Sequence, residues 1–210
     1  MDLNISVFQE PRGVMRILHF VFSICAFATI TGYSGYIKYS CPDNQSASDE
    51  YSYPFQFVFT RPFNVSGSIC QIFTTGDFSS DAKFFVATGV LAMLYSIAII
   101  FVYMKFDELY RTNNKIPLYD FLFTVVFGVL WLSSSAAWAN GLTGLKTVTT
   151  NPKISESCSN CTTSTSNFST LNISVIFGFL NFFLWAADLW FLYKETAWFQ
   201  GRQPNPSEGA

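Results

Sequence analysis

Few side chains in this 210-residue chain are of types that do chemistry, and those few are far apart. The only histidine, His19, stands three residues beyond Arg16 at the start of an apolar run. Asp188 is the only acidic residue well inside such a run, six residues before Lys194, which by helical rise is about 9 Å. A carboxylate there reads either as an ion or proton site or as an interfacial group, solvated or paired with Lys194. The second reading is preferred, because no other carboxylate is expected to face it. Asp120 and His19 lie at the edges of their runs and are expected to meet water. Asn181, deeper, is expected to be a hydrogen-bonding contact between helices. No nucleophile–base pair and no metal-ligand cluster is legible, so the expectation is a non-enzymatic protein with no cofactor and no metal.

Five cysteines invite redox or metal chemistry. Cys158-Ser-Asn-Cys161 has the spacing of a thioredoxin-like motif or half a zinc site. Zinc would need two more ligands, and the polar segments hold no histidine. No redox helix following a strand is legible either. The preferred reading is structural: disulfides joining Cys41 to Cys70 and Cys158 to Cys161, each within its own polar segment because each partner is local. Cys25 lies in an apolar run as a packing residue or acylation candidate.

The elements that carry these residues are membrane spans. Charged residues make up 12 % of the chain, half the usual share for a soluble domain, and there are 24 Phe. Net charge is −2 with no basic run, which excludes a nucleic-acid-binding surface of the usual kind. Four apolar runs are long enough to cross a hydrocarbon core of about 30 Å: residues 17–37, 84–104, 118–139 and 172–193. The first is read as an anchor, not a cleaved leader, because it outlasts a leader's apolar core. Each run has a stripe of small or polar residues at helical spacing, an expected packing face: Ala28, Gly32 and Gly35; Gly89, Ala92 and Ser96; Gly128, Ser135 and Ala139; Gly178, Asn181 and Trp185. In the loop 38–83, aromatic residues at every second position from Tyr51 to Phe59 suggest a strand. It would pair with Ile69–Thr74 across the turn-prone Asn64–Gly67 segment in a small β-hairpin.

Four spans place both ends of the chain on one side. Seven of the 12 Lys and Arg lie in the ends and in the link 105–117, which puts these in the cytosol and the loops 38–83 and 140–171 in the lumen. Sequons at Asn44, Asn64, Asn160, Asn167 and Asn172 fall in or beside those loops and one, at Asn4, on the other side, with Asn44, Asn64 and Asn167 the expected glycan acceptors. The layout is a cytosolic lead, 1–16, a four-span domain, 17–196, and a short cytosolic tail, 197–210.

Several stretches resemble one family, the synaptophysins, four-span vesicle proteins of the MARVEL group. The resemblance rests on Glu10-Pro11, Ala26-Phe27-Ala28-Thr29, Tyr33-Ser34-Gly35, Tyr53-Pro54-Phe55 and Gly76-Asp77-Phe78-Ser79-Ser80. It continues through Asn113-Asn114-Lys115, Ser135-Ala136-Ala137-Trp138-Ala139, Asn172 to Asn181, and Lys194-Glu195-Thr196. It implies an all-α integral membrane protein, a four-helix MARVEL-like bundle with two disulfide-stapled luminal loops. It also implies transport or synaptic vesicles, a role in trafficking and exocytosis, homo-oligomers, cholesterol-rich membrane and a synaptobrevin-type fusion protein as partner. The family usually has Lys where Asn140 stands and Asn where Asp188 stands, and its long Gly/Tyr-rich tail is missing here. The function so implied is to organise or sort vesicle membrane components. The alternative is a channel or transporter built from a ring of four-span subunits, which should show a polar stripe along a whole span.

Overall fold

The computed structural model describes residues 10–42, 44–65, 67–106, 115–154 and 161–195. Cys158, Asn160, most of the link 105–117 and the tail 197–210 lie outside them. Four helices carry the apolar runs: α1 (Pro11–Thr31), α2 (Ser79–Lys105), α3 (Lys115–Thr150) and α4 (Ser169–Glu195). Each is long and apolar enough to cross a membrane.

The helix starts follow from local chemistry. Pro11 opens α1, where a missing N–H costs nothing, and the Glu10 carbonyl accepts from the Gly13 and Val14 amides. At the start of α2 the Asp77 carboxylate accepts from the Ser79 amide at 3.1 Å and its hydroxyl at 2.8 Å. Asn167 repeats the device before α4, accepting from Ser169 N at 2.8 Å and Oγ at 2.7 Å. Asp77-Phe78-Ser79 and Asn167-Phe168-Ser169 are thus the same cap written twice.

Two boundaries differ from the sequence expectation. The first run stops being helical at Thr31, and Ser34 already begins a strand. The third continues to Thr150, because Leu142, Leu145 and Thr149, all buried, extend one helical face through what reads as loop.

The helices contribute to two compact units. One contains residues 1–25, 88–133 and 177–210, segments of all four helices. The other contains 26–87 and 134–176, the remaining helix segments and the strands.

The strands correct the all-α expectation. β1 (Ser34–Cys41), β2 (Gln45–Ser52) and β6 (Thr162–Thr165) form one antiparallel sheet in the order β2-β1-β6. β3 (Gln56–Val65), β4 (Ser68–Asp77) and β5 (Lys153–Ile154) form a second in the order β3-β4-β5. The loop after α3 therefore supplies one strand to each sheet. The β3–β4 pair is a β-hairpin in which Phe59 faces Thr74 and Asn64 faces Ile69, turning at Gly67 with φ +82°.

The aromatic alternation is split between β2 and β3 by a turn at 53–55, where Phe55 N donates to Ser52 O at 2.8 Å. Pro54 therefore sits in that turn. Tyr51, Phe55 and Phe57 are buried, with Tyr51 and Phe57 5.3 Å apart and Phe57 stacked on Phe59 at 5.1 Å. Phe55 stacks on Trp138 of α3 at 5.4 Å, and Trp138 Nε1 donates to Ser174 Oγ of α4 at 2.8 Å. The sheets' inner face so meets the helices through rings.

The cysteine pairing is corrected as well. Cys41 is bonded to Cys161, 120 residues away, and not to Cys70. Register explains it: β6 lies against β1 with Thr162 opposite Ser40, which brings Cys161 beside Cys41. Locality in sequence failed because the sheet makes distant residues neighbours. Cys70, in the other sheet and buried, is disulfide-bonded too, whereas Cys25, half-buried on α1, is not in a disulfide. The expected ring between Cys158 and Cys161 is excluded, since Cys161 is taken.

Candidate functional site

The polar centre of the first unit is assembled on α1. Its buried face runs Gly13, Arg16, His19, Ser23, Ala26 and Ile30, at helical spacing. Ala28 and Gly32, the expected packing stripe, are exposed, and Gly35 lies on β1. The apolar-small pattern misled because the true stripe carries a cation and an imidazole.

Arg16 is fully buried and reaches carboxylates on two other helices. Its Nη2 lies 2.7 Å from Asp120 Oδ1 on α3 and its Nη1 3.0 Å from Asp188 Oδ2 on α4. Nη2 also donates to Thr124 Oγ1 at 2.9 Å. Two phenols of α2 complete the ring of donors: Tyr95 Oη donates to Asp120 Oδ1 at 2.6 Å, and Tyr103 Oη donates to Oδ2. The Asp120 carboxylate thus accepts from a guanidinium and two hydroxyls.

His19 packs flat on Trp185 of α4, ring centres 4.1 Å apart and 9° from parallel. Its Nδ1 is 3.5 Å from Arg16 Nη1 and 3.9 Å from Asp188 Oδ2. The guanidinium carbon lies 5.4 Å from the Trp185 ring centre and 5.6 Å from that of Tyr95, so aromatic faces wall the charges. Phe127 closes against Trp185 at 4.8 Å.

Several sequence expectations are corrected here. Asp188 is neither interfacial nor paired with Lys194: it is fully buried against Arg16, and a second carboxylate shares the same cation. Lys194 instead lies over the Trp190 ring at 5.1 Å. Asp120 and His19 do not face water. Arg16 was missed because a basic residue beside an apolar run is normally a topological marker. The one available signal was spacing: Arg16, His19 and Ser23 fall on a single face.

Chemically, one guanidinium between two carboxylates in a low-dielectric interior ties three helices together, and removing the guanidinium strands two buried carboxylates. Among the described residues no group of three or more His, Cys, Asp and Glu side chains is placed to hold a metal ion.

The other singled-out residues fall elsewhere. Asn181 is buried and its Nδ2 donates to Phe22 O of α1 at 3.0 Å, bridging helices. Ser135 is buried. Gly128 is buried as well, but a Cβ placed there meets nothing within 4 Å, so it is not a close-approach residue. Asn44, Asn64 and Asn167 are all exposed. Asn172 is held by Lys146 at 2.6 Å and Ser174 of its sequon is buried, which leaves that sequon closed.

Outside the chain, the family description "Membrane-associating domain", MARVEL, matches residues 8–191, most of the length. The match takes in α1 to α3, α4 as far as residue 191, and the charge centre on them. The chain belongs to the MARVEL family of membrane-associating domains.

Proposed function

We propose that this MARVEL protein is a non-catalytic organiser of vesicle membranes, of the synaptophysin type, acting through the outward faces of its helices. One observation carries the reading. The charged side chains deep in the helices, Arg16, Asp120 and Asp188, are spent on one another. The exposed positions are large and apolar instead: Val21, Leu94, Phe101, Phe123, Val129, Phe183 and Trp190. In lipid such faces pack against a neighbouring helix or a sterol ring without a charged partner.

In this reading the chain before α1 and the tail 197–210 are cytosolic, the segments 38–83 and 140–171 face the lumen, and glycans sit on Asn44, Asn64 and Asn167. Copies of the chain associate laterally in cholesterol-rich membrane and hold a single-span partner of the synaptobrevin type through its membrane segment. Deleting residues 197–210 and repeating a detergent co-purification with synaptobrevin tests it. Binding retained at the wild-type level supports recognition within the membrane. Lost binding would move recognition to the cytosol and overturn the proposal.

A further inference from the structure

A groove on the second unit has no part in the charge centre or in the proposed partner binding. It lies between α3 and α4, has a volume of about 320 Å³, and is walled by Ala139, Leu142, Val175 and Ile176. Lys146 and Asn172 stand at one end. Asn172 Oδ1 accepts from the Lys146 ammonium at 2.6 Å, and the Phe168 ring lies 6.0 Å away, so the cation is held in place. Among the described residues Lys146 has no carboxylate partner.

The height of this groove decides what fits it. α3 has 36 residues and is about 54 Å long, well beyond a hydrocarbon core of about 30 Å. If the core ends near Ala139, as the apolar run indicates, Lys146 lies about 10 Å further out, at headgroup level. Asn172, which touches it, stands at the outer edge of the apolar run of α4. The aliphatic wall therefore faces acyl chain and the ammonium faces headgroup.

An apolar body ending in an uncompensated cation is the complement of one class of molecule. We infer that this groove is a binding site for a membrane glycerophospholipid, its acyl chain along Ala139, Leu142, Val175 and Ile176 and its phosphate on Lys146. A sterol would bring a hydroxyl, which leaves the ammonium unneutralised. A phosphate forms a charge-assisted hydrogen bond with it.

Native mass spectrometry of the full chain in mild detergent, titrated with dioleoylphosphatidylglycerol, tests the site. One retained lipid per chain is expected, with affinity reduced at least about tenfold by Lys146→Glu. Lys146→Arg should keep it, Ala139→Phe should lose it by filling the groove, and Lys83→Glu, at an exposed position of α2 outside the groove lining, should leave it unchanged. Intact Cys41–Cys161 linkage and an unchanged melting temperature show which variants are folded. If Lys146→Glu fails to fold, Ala139→Phe decides alone. Equal retention by the wild type and every folded variant would overturn the site. So would displacement of the lipid by cholesterol with the same dependence on Lys146.

Discussion

Two carboxylates depend on Arg16 inside an apolar interior. Arg16→Met leaves Asp120 and Asp188 without their cation, and breaking a buried pair in this way costs about 3–5 kcal/mol. Lys194→Met removes only a contact over an exposed indole and should change stability by about 1 kcal/mol or less. Detergent melting of the two variants side by side distinguishes the Arg16 pairing from a Lys194–Asp188 pair, in which Lys194→Met would be the more damaging. Glycines give a second contrast. A Cβ at Gly35 would lie 2.6 Å from Tyr51 Cζ and 2.7 Å from Ser166 Oγ, while at Gly128 it meets open space. Gly35→Ala should therefore lower the melting temperature and Gly128→Ala should not.

Element boundaries bring their own consequences. The Ser79 hydroxyl and amide hold the Asp77 carboxyl below its usual range. A lowered folded value means the cap is at full strength above the unfolded carboxyl's ordinary value, about pH 4. Its contribution is then lost as pH falls through the lowered folded value. Asp77→Asn should flatten that part of the acid limb of a stability profile, and an unchanged acid limb would argue against the cap. The Cys41–Cys161 bond closes 120 residues, so in the chain-entropy model it restricts the unfolded chain by about 5 kcal/mol. Peptide mapping without reductant should recover Cys41 joined to Cys161, and recovery of Cys41 joined to Cys70 would contradict the register of β1 and β6. How much of this was legible follows from range. The apolar runs and the β3–β4 hairpin were readable, since length, period and turn residues are local signals. The β1–β6 pairing and the salt bridges of Arg16 were not, because each joins residues more than 100 positions apart and nothing local marks the partner.

At the scale of the molecule, the buried charges described within the helices are paired with one another, and the exposed apolar faces are left to lipid and neighbouring helices. The alternative, a channel or transporter, needs polar groups continuing along a span. The most direct measurement is planar-bilayer recording of the purified full chain, alone and with Asp188→Asn. The account predicts no unitary conductance above the lipid background for either protein. Discrete openings from the wild type that change in size or selectivity with Asp188→Asn would contradict it, and would make the charge centre a conduction site.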